Sequence, residues 1–587
     1  MTTSAIKSIL TAPANLGDTG RSENGQSNYK WLRVCCWSVA LALGAAQAWA
    51  TRFTMNPDGV SYLDIGDAYW RADWHNAINA YWSPLYSWVL GFFLKVFKPS
   101  AHWEYPLVHL VNFLMYTVAL VCFDLFLSTF IEQTTKRDRD LIAPSEMGLP
   151  KWVWLVVGYS LFVSSSLLLI TNSFLSADMT VAAIVYLASA LILNIRKGVA
   201  SRGTFVWLGL IIGLGYLTKT VMFLMSVPFL AVAAAAQKHS GRSIKPVALS
   251  ALAFFVVACP FVLLLSLARG RPTFGDSGKI NYEINVNEVD FFIPEVQTAQ
   301  HPIRKIAGLR EAYEYAYPIS GTYPPWYDPS YWHEGIEPHF DARNEMRSFG
   351  RSILQCCWIS LSAFSQLNIT ATLLFLYFTA PGISGRFKSA RSNWLLWLPA
   401  LSGISLYSIV VIEARYVGAL FCLLWLVGFS GVRMPISAAS RRLAAVAALG
   451  LALTTCLVIG RQISQALNGF DLAGRHVGTP TYWKVAGALN ARGIKPGEKL
   501  AVIAEWPNAS QGPAYVARLA RVEIIGEMRR PDDFWAADAS TRSRLIASFA
   551  GSGAKAILIC KRPQIESGWE RLADSDYYLY RLGIGMQ

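Results

Sequence analysis

The chain has 587 residues, 53% of them hydrophobic and only 15% charged, with a formal net charge of +14 and a mean hydropathy of +0.33. That balance excludes an ordinary water-soluble globular protein of this length and makes the bilayer its main solvent. No basic segment interleaves with aromatics in the manner of a nucleic-acid groove, so nucleic acid is not an expected partner.

Residues 1–29 are polar and hold too little apolar surface to order themselves, which predicts a flexible cytoplasmic tail. The first apolar stretch is long and has no convincing cleavage site, so it reads as an uncleaved helix. Runs long enough to cross about 30 Å of hydrocarbon, roughly 20 residues each, follow repeatedly. They fall at 32–50, 106–131, 152–171, 178–195, 204–218, 219–236, 247–268, 365–381, 393–411, 416–432 and 443–460, eleven in all. The nine cysteines, mostly inside or beside these runs, show neither zinc spacing nor a disulfide framework.

The run Ser83–Phe97 is apolar but short, and Lys95 and Lys98 mark its end. If it lies in the outer interface, five basic loops share the cytoplasmic side. These hold Lys136, Arg137 and Arg139; Arg196, Lys197 and Arg202; Lys238, Arg242 and Lys245; Arg386, Lys388 and Arg391; and Arg433, Arg441 and Arg442. If it crosses, all of them move outside, against the positive-inside rule. The non-crossing topology puts the N-terminus in the cytoplasm. Loops 51–105 and 269–350, and everything after about 461, then share the external compartment.

After the last run the composition changes. Strand-like runs Leu500–Ala504, Val522–Ile525 and Ala556–Cys560 alternate with helical stretches, which predicts a small extracytoplasmic α/β domain over 461–587. The expected fold class is an α-helical polytopic membrane protein of about eleven transmembrane helices over 30–460, carrying that domain.

The segment Asn56–Gly91 concentrates Asp58, Asp64, Asp67 and Asp73 among aromatics beside the membrane. Carboxylates there are disfavoured unless solvated, paired, metal-bound or used. On a helix starting near Val60, Asp64 and Asp67 share a face, which suits solvated or structural roles, while Asp58 stands exposed in the preceding Pro-Asp-Gly turn. Such a carboxylate can take the proton of an incoming nucleophile, help bind a divalent metal, or cap the helix.

Several short motifs then occur in a telling order. An Asp is followed four residues later by Tyr62, then by Ala72-Asp73-Trp74 and by Ser83-Pro84-Leu85-Tyr86. Later come Gly213-Leu-Gly-Tyr-Leu-Thr-Lys219 and Glu413-Ala-Arg415-Tyr416. Over roughly residues 30–430 this order resembles the GT-C type membrane glycosyltransferases, the superfamily of protein O-mannosyltransferases, lipid A aminoarabinose transferases and Rgt-like enzymes. Ser83 replaces the first proline of that family's Pro-Pro-Leu, and Ala72 replaces its glycine.

The resemblance implies a GT-C like enzyme that moves a sugar from a polyprenyl-phosphate donor to an acceptor of unknown identity, with inversion at the anomeric carbon. The setting it implies is a bacterial-type inner membrane, with the active site on the external face. Asp58 would be general base or metal-linked carboxylate. Lys219 and Arg415, both at the outer face in this topology, would hold the donor phosphate, with Asp178 on the same side as a weaker candidate or a helix cap. Arg can grip phosphate in bidentate fashion and Lys acts as a point charge, though either can also snorkel to the headgroups.

In the long loop, Trp326, Tyr327, Tyr331 and Trp332 could stack on sugar rings or anchor the loop at the headgroup belt. His301, His333 and His339 with Glu334 and Asp341 match no metal-site spacing. No cofactor is named by the sequence, and a divalent metal stays open. Two other classes remain: a transporter or lipid flippase, which would carry ionisable residues at the midplane and often inverted repeats, and a non-catalytic membrane scaffold.

Overall fold

The computed structural model describes residues 22–141, 145–239, 241–291, 298–306, 310–315, 320–361, 364–378, 391–470, 480–505, 508–560 and 568–582. Most of the expected N-terminal tail lies outside these residues, as do Arg386 and Lys388.

The helices run in chain order as α1 (Ser22–Ala50), α2 (Pro57–Trp70), α3 (Trp74–Ala77), α4 (Pro84–Phe97), α5 (Ala101–Leu141), α6 (Lys151–Ser164), α7 (Asp178–Lys197) and α8 (Arg202–Thr218). Next come α9 (Val221–His239), α10 (Val247–Ala268), α11 (Ser277–Asn285), α12 (Pro324–Tyr327), α13 (Pro329–Trp332), α14 (Ala342–Leu361) and α15 (Phe364–Phe378). The last are α16 (Trp394–Ser408), α17 (Ala414–Phe429), α18 (Ala438–Leu467), α19 (Tyr482–Ala491), α20 (Asn508–Ala520), α21 (Pro531–Ala536) and α22 (Ala539–Gly551). The strands are β1 (Glu146–Met147), β2 (Arg304–Lys305), β3 (Ala312–Glu314), β4 (Met434–Pro435), β5 (Lys499–Ile503), β6 (Glu523–Met528), β7 (Ala556–Ile559), β8 (Trp569–Arg571) and β9 (Tyr578–Arg581).

A helix stands at each of the eleven predicted runs. Among the described residues seven are long and apolar enough to cross a membrane: α1, α5, α6 with the π-helical turn Ser165–Ile170 that prolongs it, α7, α9, α10 and α18. The other four, α8, α15, α16 and α17, are apolar helices of 15 to 17 residues. The protein is a polytopic helical membrane protein.

The basic loops meet at one end of the bundle. Arg137 donates to Asn393 at 2.9 Å, Arg196 to the Ser392 carbonyl at 2.7 Å, and Arg433 to Asp138 at 3.0 Å. β1 and β4 pair antiparallel at the same end, joining the connection after α5 to the one after α17.

The segment 83–97 holds the 14-residue helix α4, which extends about 21 Å. The two ends of α4 lie on one side. Ser83 Oγ stands 3.3 Å from Thr220 Oγ1, between α8 and α9, and the first turn of α5 places His102 on the Trp483 ring of the C-terminal domain at 4.5 Å. The helix packs along α2, closely enough that a Cβ on Gly66 would stand 2.7 Å from the Ser87 carbonyl oxygen and 3.1 Å from the Gly91 nitrogen.

The sheet has seven strands among the described residues, in the order β2-β3-β6-β5-β7-β9-β8. β5 runs parallel to both β6 and β7, and the outer pairings are antiparallel. β5, β6 and β7 fall on the three predicted strand runs, and the long loop 269–350 supplies β2 and β3. Alternation along β5 splits its side chains: Leu500 and Val502 join a core with α19 and α20, while Ala501 and Ile503 join one with Phe549 of α22. The first of these cores continues without a break into α2, α4 and the start of α5, through Val60, Leu63, Tyr86 and Tyr105.

One buried arginine fixes this junction. Arg518 of α20 meets Asp64 at 2.6 Å, Asp67 at 2.7 Å and Glu104 at 2.9 Å, and Arg521 supports Asp67 and Glu104 from the rim. Asp64 also accepts from the Thr322 N–H at 2.8 Å and hydroxyl at 3.0 Å, which ties the long loop to α2.

Candidate functional site

At the end of the bundle opposite the basic loops, four segments converge. α2 begins at Pro57, whose fixed φ and missing N–H suit a first helical position. This corrects two expectations: the helix starts ahead of Val60, and Asp58 lies within its first turn, buried at 8% exposure instead of standing free. Nor does Asp58 cap the helix, because the N-cap residue is Asn56. The Asn56 amide is spent on a different bond pair, accepting from the Leu175 N–H at 2.7 Å and donating to the Leu175 carbonyl at 3.1 Å. That clamp holds the connection before α7 against the segment before α2 and so sets Asp178 opposite Asp58.

Lys219 occupies the short break between α8 and α9, with extended backbone, and Arg415 sits in the first turn of α17. The four side chains form one chain of ion pairs. Lys219 Nζ donates to Asp178 Oδ1 at 2.6 Å, Arg415 Nη1 stands 3.8 Å from Asp178 Oδ2, and the same Nη1 donates to Asp58 Oδ2 at 2.8 Å. Arg415 Nε reaches Glu413 at 2.6 Å. Aromatic faces hold the cations from the other side: Lys219 Nζ is 3.5 Å from the Tyr416 ring centre, and the Arg415 guanidinium is 4.4 Å from that of Phe174.

Three carboxylates, Asp58, Asp178 and Glu413, thus face two cations. Burial raises the Asp58 carboxyl above its ordinary range, Arg415 pulls it partly back, and Glu413 and Asp178 push the same way as burial. The group is a stronger base than an ordinary aspartate.

A cavity of about 470 Å³ opens over this cluster. Asp58, Tyr62, Asp178, Lys219 and Arg415 line it, with Tyr407 and Tyr416 from α16 and α17 and with Arg271, Asp276 and Lys279 from the start of the long loop. The aromatic wall beside paired cations can take an anion attached to an apolar chain, and the Asp58 carboxylate faces the same space.

The remaining predicted residues fall elsewhere. Asp64 and Asp67 belong to the Arg518 network. Asp73 caps α3, accepting from the Asn76 side chain at 2.8 Å. The four loop aromatics are not in the cavity wall. Trp326 and Tyr327 offer their carbonyls to Ser61, Trp82 and Asn79, Trp332 donates to the Pro324 carbonyl at 3.0 Å, and Tyr331 stacks on His301 at 4.0 Å. Among the described residues no group of three or more His, Cys, Asp or Glu is placed to hold a metal ion. His301 instead meets Glu334 at 3.1 Å, and His333 lies between Glu283 at 2.9 Å and the Phe291 carbonyl at 3.1 Å.

Sequence reasoning missed Tyr407, Glu413 as a partner of Arg415, and the trio Arg271, Asp276 and Lys279. A tyrosine in an apolar run carries no signal of its own. The Arg271–Asp276 spacing does, since a cation and a carboxylate five residues apart across a turn can close on each other, here at 2.7 Å.

No family model and no curated protein sequence matches the chain. Solved structures do. ArnT from Cupriavidus metallidurans bound to undecaprenyl phosphate aligns with a TM-score of 0.50 at 13% identity, over 93% of this chain and 97% of that one. The chain has the GT-C fold. The apo state of the same ArnT aligns at 0.49 and 12% identity, over 92% and 97% of the two chains. The Archaeoglobus fulgidus oligosaccharyltransferase in complex with Zn and sulfate aligns at 0.49 and 12%, over 90% of this chain and 67% of that one. At such identities the GT-C fold is what the likeness carries, and the chemistry rests on this chain's own residues.

Proposed function

We propose that the protein is a membrane glycosyltransferase that takes a sugar from a polyprenyl-phosphate donor and passes it to an acceptor hydroxyl at the external membrane face. The observation that carries this reading is the cavity in which the buried base Asp58 shares Arg415 with Asp178, itself paired to Lys219. The GT-C fold, seen also in an ArnT bound to undecaprenyl phosphate, supports a polyprenyl-phosphate partner.

In the reaction the donor phosphate draws Arg415 and Lys219 away from their carboxylates and is held by both. The acceptor oxygen forms its bond to the anomeric carbon while the bond from that carbon to the phosphate oxygen breaks. The acceptor proton goes to Asp58, freed of Arg415, and the leaving phosphate keeps the electron pair, its charge stabilised by the two cations. A single displacement of this kind inverts the anomeric centre. The basic loops at the far end of the bundle support, by the positive-inside rule, a cytoplasmic position for that end, with the cavity and the sheet domain on the outside of an inner membrane.

The test is transfer by the purified protein from a panel of labelled polyprenyl-phosphate sugars, with membrane extract as acceptor. The expected result is labelled product together with free polyprenyl phosphate. Movement of intact labelled lipid between leaflets without cleavage would replace this reading with a flippase.

A further inference from the structure

A second concavity, sharing no lining residue with the first, opens between α1, the end of α4 and the start of α5, with a volume of about 690 Å³. That is the size of a small-ligand pocket. Its wall is apolar, from Ala48 and Trp49 on α1, Phe97 on α4, and Trp103 and Leu110 on α5. Trp49, Trp103 and Phe97 are 58%, 54% and 61% exposed. They stand where spanning helices reach the end of the bundle that carries the sheet domain, the level at which tryptophans mark the headgroup belt.

Two cations complete the mouth. Arg52 lies over the Trp49 ring at 4.2 Å and the Phe53 ring at 4.7 Å, and donates to the Trp49 carbonyl at 2.7 Å. Lys98 closes α4 in a left-handed conformation, φ 44°, which helix ends usually leave to glycine. Among the described residues neither cation meets a carboxylate. This contrasts with Lys219 and Arg415, which are fully engaged by acids. Snorkelling alone explains a cation on a convex lipid-facing wall, but not a concave apolar slot with two cations at its rim that meet no acid among the described residues.

We propose that this groove binds one anionic glycerophospholipid of the surrounding leaflet, its phosphate at Arg52 and Lys98 and one acyl chain along the slot. The bound lipid would brace α1 against α4 and α5. His109, in the groove wall, stands 3.0 Å from the Thr54 carbonyl four residues before Asp58, so the brace also steadies the approach to the cavity.

The test uses the full-length protein, delipidated in detergent and re-exposed to mixed micelles of phosphatidylglycerol and phosphatidylcholine, with retained lipid counted by native mass spectrometry. The wild type is expected to retain one phosphatidylglycerol in preference to phosphatidylcholine. Arg52→Gln with Lys98→Gln is expected to weaken retention by roughly fivefold for each cation removed. Ala45→Trp, on the exposed rim of the groove, is expected to abolish retention by filling the slot with both cations intact. Glycerol phosphate, which lacks the chains, is expected not to compete. Equal retention of the two lipids, unchanged retention in the double variant or in Ala45→Trp, or competition by glycerol phosphate would each overturn the proposal.

Discussion

Arg415 and Asp58 lie 357 residues apart in the chain and 2.8 Å apart in the fold. The proposed phosphate ligand therefore covers the proposed base until donor arrives, and the same contact lowers the proton affinity that burial raises.

The pH dependence follows from that balance. Catalysis needs the Asp58 carboxylate, so kcat/KM is expected to rise with pH through a limb lying above the ordinary aspartate value of about 3.9. Arg415→Gln removes the group that lowers this carboxyl, so its residual activity should show the limb at still higher pH. A wild-type limb at or below the ordinary value contradicts the assignment.

Stability carries the opposite sign. A carboxyl raised in the folded state stabilises the fold below its unfolded pKa, and that contribution is lost as pH rises through the folded pKa. Asp58→Asn, which resembles the protonated acid, is expected to melt at or above the wild-type temperature near neutral pH while losing transfer. A large fall in Tm would instead make Asp58 a structural anchor.

Asp178 touches both cations, Lys219 at 2.6 Å and Arg415 at 3.8 Å. Asp178→Asn should leave them less firmly placed for phosphate. One lost charge-assisted hydrogen bond is worth about 1.5–3 kcal/mol, or roughly tenfold or more in donor KM, with a smaller effect on kcat. Steady-state kinetics with varied donor checks the split.

Arg518 is 3% exposed at its side chain and pairs with three buried or half-buried carboxylates on the other side of the domain junction. Arg518→Gln strips Asp64 of its cation and leaves Asp67 and Glu104 to Arg521 alone, and breaking a buried ion pair in this way costs about 3–5 kcal/mol. Thermal unfolding in detergent should show a clear loss, and limited proteolysis should cut the sheet domain first. An unchanged Tm would mean that the junction is held by its apolar core alone.

Gly66 and Gly91 let α2 and α4 touch backbone to backbone. A methyl at Gly66 must push α4 away, an overpacking cost of about 1–3 kcal/mol, and α2 carries Asp58 with it. Gly66→Ala is therefore expected to lower both Tm and kcat, whereas Gly460→Ala, with nothing within 4 Å of the added carbon, should change neither.

Much of the fold is legible in the sequence because bilayer crossing imposes length and apolarity on contiguous residues, and all eleven runs became helices for that reason. Charge parity reads the short run ending in Lys95 and Lys98 as lying on one side, and in the fold its first residue, Ser83, stands beside Thr220. Lys219, Arg415 and Asp178 were singled out by motif and sidedness, and they meet in one cavity.

What the sequence hides is pairing over distance. Nothing near Arg518 marks it as the partner of Asp64, 454 positions away. Asp58 looked exposed because a Pro-Asp-Gly triplet reads as a turn, yet proline suits a first helical position equally well, and the clamp between Asn56 and Leu175 that buries the segment is invisible locally. The loop aromatics carried an ambiguous signal, since stacking on sugar and packing in a core call for the same rings.

The most direct measurement compares sugar transfer from labelled polyprenyl-phosphate donors in membranes holding matched amounts of wild type and Asp58→Asn. The expected outcome is product with the wild type and its loss in the variant, with donor binding retained through Lys219 and Arg415. Transfer undiminished in Asp58→Asn would contradict Asp58 as the base.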